Sequence, residues 1–121
     1  MHSQLDHSAS VPFGFSTDWH GNRATLTLEG EIEVTTAPHL RSAVRALLAC
    51  GVTDFVIDFG EVVFVDSTGL DVLIELLTWA GDAGGSVTLE GAGPQLVRIL
   101  EVTGIAALVT VRPSQDRSRS A

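Results

Sequence analysis

A carboxylate and two hydroxyl groups stand side by side at Asp66, Ser67 and Thr68, near the middle of the chain. Short β-branched and aromatic runs precede them and a helical repeat follows, so they fall where a strand ends and a helix begins. A helix start leaves N–H groups unpaired and carries partial positive charge, which stabilises a phosphate or carboxylate by about 0.3–1 kcal/mol. The position therefore suits a phosphorylated serine, but a plain helix cap uses the same residue types.

The helix that follows is predicted to run from about residue 68 to residue 82. Its predicted core face repeats at i, i+3, i+4 and i+7 and consists of Leu70, Leu73, Ile74 and Leu77. The N-cap is left open among Asp66, Ser67 and Thr68. Residues 68–71 also fit a capping box in which Asp71 replaces the more usual Glu or Gln.

A second apolar stripe lies nearly opposite the first on the same helix and consists of Val72, Leu76 and Trp79. Asp71, Glu75 and Thr78 lie between the two stripes. One interpretation is that Leu76 and Trp79 pack against a neighbouring helix. The other is that part of this stripe is exposed and docks a partner beside Ser67, as exposed aromatic and aliphatic clusters often do.

Hydrophobic spacing along the chain predicts the order β-β-α-β-α-β-α-β, beginning with a hairpin around residues 20–22. The runs at residues 55–59 and 62–65 resemble short strands buried on both faces, and residues 106–111 a last strand. Alternating strands and helices with right-handed crossovers predict an α/β domain, a mixed sheet with about three helices on one face. We expect this single domain at residues 12–111, between a disordered N-terminus (1–11) and a flexible Arg/Ser-rich tail (112–121).

Composition limits the classes of function. The chain has 121 residues and a net charge of −8, which disfavours nucleic acid and anionic membranes as partners. It lacks an apolar run long enough for a membrane span and an apolar signal-peptide core, so we expect a cytoplasmic protein. Its four His residues lack metal-ligand spacing and no nucleotide-binding motif is present, so neither a metal nor a cofactor is expected. The single Cys50 is interpreted as a small buried apolar residue.

Three segments together resemble a STAS domain of the anti-sigma factor antagonist family. Residues 30–41 (GEIEVTTAPHLR) are similar to the family's G-E-[IL]-D-x-x-x-A-P-x-L segment. Residues 65–70 (VDSTGL) match its D-S-[ST]-G-[LI] motif, and residues 96–105 (LVRILEVTGI) resemble the segment that ends near [IL]-T-G-[LI]. The resemblance covers roughly residues 13–111.

This resemblance implies a phosphorylation switch at Ser67. In the family, the Ser after the motif Asp is phosphorylated by a partner that is both a serine kinase and an anti-sigma factor. The unphosphorylated form binds that partner and frees a sigma factor, and a serine phosphatase reverses the modification. Two residues depart from the family pattern: Glu33 stands where Asp is usual, and Asp71 replaces a small residue. The expected partner-binding residues are Glu33, Asp66, Ser67, Thr68, Gly69, Asp71, Val72, Leu76 and Trp79.

Two other functions are considered. One is a constitutive STAS scaffold that binds its partners whatever group stands at position 67. The other is a small hydrolase or phosphotransferase that uses Ser67 with Asp66 or His39 as base. It is disfavoured because adjacent Asp and Ser supply no oriented chain of nucleophile, base and orienting group. We therefore expect a binding protein without catalytic residues, and its oligomeric state is left open.

Overall fold

A computed structural model describes residues 14–113 of the chain. The strands are β1 (Gly14–His20), β2 (Arg23–Ile32), β3 (Asp54–Val65), β4 (Ser86–Glu90) and β5 (Thr110–Arg112). The helices are α1 (Ala37–Ala49), α2 (Ser67–Asp82) and α3 (Pro94–Thr103), followed by a short 3₁₀ helix, Ile105–Leu108. The predicted disordered N-terminus and the predicted tail from residue 114 onward lie outside the described residues.

The strands form one mixed sheet in the order β1-β2-β3-β4-β5. β1 and β2 are an antiparallel hairpin, whereas β2 to β5 run parallel to one another. Each parallel strand is joined to the next by a helix, and crossovers in one direction place the helices on one face. Leu26 of β2 shares a single buried core with Val44, Leu76 and Leu100, which belong to the three helices. The predicted α/β fold is confirmed.

β3 is longer than its neighbour β4 and continues beyond its end. β4 pairs with residues 54–58 of β3, whereas β2 remains paired with β3 as far as Val65. The pairing with β2 shifts register twice, so that β3 holds an extra residue after Asp58 and another after Val62. Within the described chain, β3 beyond Asp58 therefore has a neighbouring strand on one side only.

This arrangement corrects part of the prediction for the two short runs. The first run is buried as predicted, with Phe55, Val56, Ile57 and Phe59 at 1%, 6%, 0% and 3% exposed. The second run is not a separate strand and is not buried on both faces. The Gly60 N–H donates a hydrogen bond to Asp58 Oδ1 at 2.8 Å, so the chain bends there without leaving the strand. Val63 and Phe64 are 61% and 52% exposed. They lie in the part of β3 that extends past its pairing with β4.

The last elements also differ from the prediction. Gly104 ends α3 as expected, but Ile105–Leu108 continues as a 3₁₀ helix. The strand predicted at residues 106–111 is therefore wrong in its first half, since β5 contains only Thr110–Arg112. Arg112, assigned to the tail from the sequence, is the last residue of this strand. The prediction that Cys50 is buried is also wrong, since Cys50 is exposed at the end of α1. Between residues 14 and 113, the helices are too short or too polar to cross a membrane.

The turn between α2 and β4 brings Gly85 close to the backbone of Thr53, and substitution of this glycine tests the contact. A Cβ added at Gly85 would lie 1.8 Å from the Thr53 carbonyl oxygen, whereas one added at Gly81 meets no atom within 4 Å. We expect Gly85→Ala to lower the free energy of unfolding by at least about 2–3 kcal/mol, because backbone must move. Gly81→Ala, inside α2, should raise it by about 0.5–1 kcal/mol. Urea denaturation followed by circular dichroism measures both, and an unchanged Gly85→Ala protein would contradict the close approach.

Candidate functional site

Asp66 joins the end of β3 to the start of α2. It is the N-cap of α2, and its Oδ1 accepts hydrogen bonds from the N–H groups of Thr68 at 2.9 Å and Gly69 at 3.1 Å. Its own N–H donates to the Ile32 carbonyl of β2 at 3.1 Å. Asp66 is thus the cap among the three candidates, and the alternative capping box that ends at Asp71 is wrong.

Gly69 brings the first turn of α2 against the sheet. A Cβ at this position would lie 2.8 Å from Val65 Cγ1, 2.9 Å from Ile32 Cγ2 and 3.1 Å from the Ile32 carbonyl oxygen. A larger residue would therefore push the helix start away from both central strands. The sequence identified Gly69 as part of the site, and the structure shows that it is buried and acts by positioning its neighbours.

Ser67 is the first residue of α2 and is exposed. Among residues 14–113, its hydroxyl has no hydrogen-bond partner. Asp71, also exposed, follows one turn later on nearly the same side of the helix. The Ser67 hydroxyl is thus accessible, beside a capping carboxylate and near a second one.

Glu33 is brought to this junction by the pairing of β2 with β3. Ile32 lies opposite Val65 in the register, so Glu33 and Asp66 follow immediately at neighbouring strand ends. Glu33 Oε2 accepts a hydrogen bond from Thr35 Oγ1 at 2.9 Å, which restrains the longer side chain. The structure therefore brings together two carboxylates that are far apart in sequence.

The second apolar stripe of α2 is not an exposed patch on the protein surface. Val72 and Leu76 are 1% and 2% exposed and belong to the core, so the prediction that they dock a partner is wrong. Trp79 is half-buried, with the Arg45 guanidinium of α1 5.5 Å from its ring centroid. The alternative, packing against a neighbouring helix, is correct for Trp79, which contacts Arg45 of α1. Ile74, which the sequence placed on the core face, is 43% exposed.

An apolar groove that sequence reasoning missed opens on the other side of α2. It has a volume of about 170 Å³ and lies between the last residues of β3 and the first turns of α2 and α3. Its lining residues are Phe59, Val62, Val63, Phe64, Val65, Leu70, Gly93, Gln95, Leu96 and Ile99. The signal that could have revealed it is the difference in length between the apolar run before Asp66 and the short run before Gly91.

The site contains no oriented general base. In the described part of the chain, no hydrogen bond joins the Ser67 hydroxyl to Asp66 or to His39, an exposed residue of α1. Over the same residues, His, Cys, Asp and Glu side chains do not form a group of three that could hold a metal ion.

Comparison with known proteins identifies the family. A family model described as "Mlab, STAS domain" matches residues 15–110. The chain belongs to the STAS domain family. The anti-sigma-B factor antagonist of Bacillus subtilis (strain 168) is 32% identical to this STAS domain over 95 residues, covering 78% of this chain and 86% of that protein. The anti-sigma-B factor antagonist of Listeria monocytogenes (strain EGD-e) is 29% identical over 87 residues, 72% of this chain and 76% of that protein.

A solved structure supports the same relationship. The crystal structure of an anti-sigma factor antagonist from Mycobacterium paratuberculosis superposes on this STAS domain with a TM-score of 0.75 and 27% identity, covering 92% of this chain and 96% of the other. The resemblance to anti-sigma factor antagonists is therefore confirmed. Anti-sigma factor antagonists are non-enzymatic regulators.

The role of the Asp66 side chain can be tested with two substitutions. Asp66→Ala removes the acceptor for two N–H groups and should lower the free energy of unfolding by about 1–2 kcal/mol. Asp66→Asn keeps an acceptor oxygen at the same place, so its loss should be no more than about 0.5 kcal/mol. Both values come from urea denaturation of the purified STAS domain. Equal losses would mean that the charge of Asp66 stabilises the helix more than its hydrogen bonds do.

Proposed function

We propose that this STAS domain is an anti-sigma factor antagonist switched by phosphorylation at Ser67. The unphosphorylated form binds an anti-sigma factor that is also a serine kinase, and this binding releases a sigma factor. The kinase phosphorylates Ser67 and ends the interaction, and a serine phosphatase restores it. The chain would thus regulate transcription in the cytoplasm by partner switching, in a stress response.

One observation carries this proposal. The Ser67 hydroxyl is exposed and has no hydrogen-bond partner within residues 14–113, at the helix start where the family motif places its serine. Asp66, not Ser67, caps the helix. A kinase can therefore modify Ser67 without breaking a hydrogen bond of its side chain.

The electrostatic effect of phosphorylation favours a switch. A phosphate adds about −1.5 to −2 charges beside Asp66, and Glu33 and Asp71 are carboxylates at the same end of α2. In a docked complex, these charges must lose water close to one another. A loss of about 2–4 kcal/mol at a central contact corresponds to a roughly 30- to 1000-fold weaker complex.

The fold itself should survive phosphorylation. Ser67 is exposed, and the first turn is fixed by the Asp66 cap and by the packing of Gly69 on Ile32. The proposed partner surface therefore consists of exposed or half-buried residues at the start of α2 and the end of β2: Glu33, Asp66, Ser67, Thr68 and Asp71. This surface does not include Val72 and Leu76, which are buried, and half-buried Trp79 belongs to the contact with α1.

The test is a pull-down from native lysate with tagged wild-type, Ser67→Ala and Ser67→Glu proteins, followed by mass spectrometry of the bound proteins. The wild-type and Ser67→Ala baits should retain a kinase-type anti-sigma factor. The Ser67→Glu bait should capture at least about 30-fold less of it. Ser42→Glu, at an exposed serine of α1, is the matched control and should capture as much as wild type.

All baits must first give the same circular dichroism spectrum. Equal capture of the anti-sigma factor by the Ala and Glu baits would contradict the switch and favour the constitutive scaffold. Loss of capture by Ser42→Glu as well would show that added negative charge weakens binding wherever it is placed, and would remove the special role of Ser67.

A further inference from the structure

We propose that Glu33 binds a basic side chain of the anti-sigma factor, and that Thr35 positions the Glu33 carboxylate for this contact. The inference rests on the proposed function, because the basic side chain belongs to the same partner. It deepens that function by assigning separate roles to the residues of the loop between β2 and α1, residues 33–36.

The backbone of Glu33 is fixed at both of its polar groups. Its N–H donates a hydrogen bond to Thr36 Oγ1 at 2.9 Å. Its carbonyl oxygen accepts hydrogen bonds from the N–H groups of Thr36 at 3.0 Å and Ala37 at 2.7 Å. Because these bonds hold the main chain in place, only the side chain of Glu33 is left to be oriented.

The hydroxyl of Thr36 is used by this loop and not by the helix that follows. Thr36 is the N-cap of α1, a position where a threonine hydroxyl usually accepts a hydrogen bond from the first helical turn. Its side chain makes no such bond. The hydroxyl accepts from the Glu33 N–H and donates to the Glu31 carbonyl oxygen at 2.8 Å. A group that could have stabilised α1 therefore holds Glu33 at the end of β2.

Thr35 restrains the part of Glu33 that the backbone leaves free. Its exposed hydroxyl donates a hydrogen bond to Glu33 Oε2 at 2.9 Å. Ordering a long side chain on binding costs affinity, and a restraint that already exists in the free protein reduces this cost. A carboxylate offers about four acceptor sites, so the bond from Thr35 leaves most of them for a partner.

The surroundings of Glu33 indicate the charge of the group that it would bind. The pairing of β2 with β3 places Glu33 beside Asp66, and Asp71 follows on α2. Among residues 14–113, no cationic side chain forms an ion pair with Glu33. The chain as a whole carries a net charge of −8. A basic side chain is the group that complements this cluster of carboxylates.

A double-mutant cycle tests the role of Thr35. The probe is the anti-sigma factor captured by the wild-type bait, purified and titrated with the full chain by isothermal titration calorimetry. All proteins carry Ser67→Ala, so that the kinase cannot modify that position. Glu33→Ala should weaken the complex at least about tenfold, and Thr35→Val about three- to tenfold. In the Glu33→Ala background, Thr35→Val should change the affinity less than about 1.5-fold, because no carboxylate remains to be positioned.

The cycle can contradict the proposal in two ways. An unchanged affinity of Glu33→Ala would show that this carboxylate does not contact the partner. Losses that multiply in the double variant would show that Thr35 acts independently of Glu33.

Conservative substitutions separate positioning from folding. Thr35→Ser keeps the donor and should retain the affinity within about twofold, whereas a loss as large as that of Thr35→Val would overturn the proposal. Thr78→Val is the matched control, since it removes an exposed hydroxyl that bonds to the Ile74 carbonyl within α2. It should leave the affinity unchanged. In urea denaturation, Thr36→Val should lower the midpoint and Thr35→Val should not, because only Thr36 bonds to the loop backbone.

Salt dependence reports the charge of the partner group. Raising the salt concentration from about 0.05 M to about 0.5 M should weaken the complex of the Ser67→Ala protein more than that of the same protein with Glu33→Gln. Equal salt dependence would show that Glu33 does not meet a basic side chain.

The results separate this inference from the switch. If Ser67→Glu loses the anti-sigma factor but the Glu33 and Thr35 variants bind it normally, the switch stands and the role of this loop is wrong. If Glu33 and Thr35 are coupled but Ser67→Glu binds as tightly as Ser67→Ala, the loop contacts the partner and Ser67 does not control it. If no bait captures an anti-sigma factor, both proposals are wrong.

Discussion

The contact between the first turn of α2 and the two central strands determines the rest of this site. At Gly69 a single added carbon would lie within 3 Å of both Val65 and Ile32 side chains. This proximity lets Asp66 bind the helix start with its carboxylate and strand β2 with its N–H. The close packing at Gly69 and the hydrogen bonds of the Asp66 cap already fix this junction. The Ser67 side chain is therefore not needed to stabilise it. The Ser67 hydroxyl can remain exposed because Asp66 and Gly69 make the contacts that hold the helix start.

The sequence predicted those parts of the fold that depend on local pattern. The hairpin, the helix starts at Pro38 and Pro94 and the strand-to-helix junction at Asp66 all have turn or capping residues beside a change of period. The choice of cap among three neighbours could not be settled locally. It depends on which side chain reaches two N–H groups once Asp66 is anchored to Ile32, a residue from another strand.

The faces of α2 were misassigned for a different reason. Its apolar residues extend around much of the helix, and the true core face lies between the two predicted stripes: Gly69, Val72, Leu73, Leu76 and Ala80. The flank with Glu75 and Trp79 faces α1, where Arg41 Nε lies 2.7 Å from Glu75 Oε1 and Arg45 lies over the Trp79 ring. The flank with Ile74 is left open. The hydrophobic period of a helix does not show which of its flanks packs against a neighbouring helix. The length of β3 was also predicted wrongly, because that length depends on pairing with β2.

Ser67 has a consequence for how such proteins diversify. Since its hydroxyl is exposed and bonded to nothing within residues 14–113, substitution at this position costs the fold little. Under the proposed switch, exchange of Ser67 for Ala or for an acidic residue would retain the same domain in a permanently active or permanently silent form. The neighbouring Asp66 and Gly69 have no such freedom. If the proposed switch operates, control by a kinase could therefore be gained or lost at one residue without altering the contacts at Asp66 and Gly69 that present it.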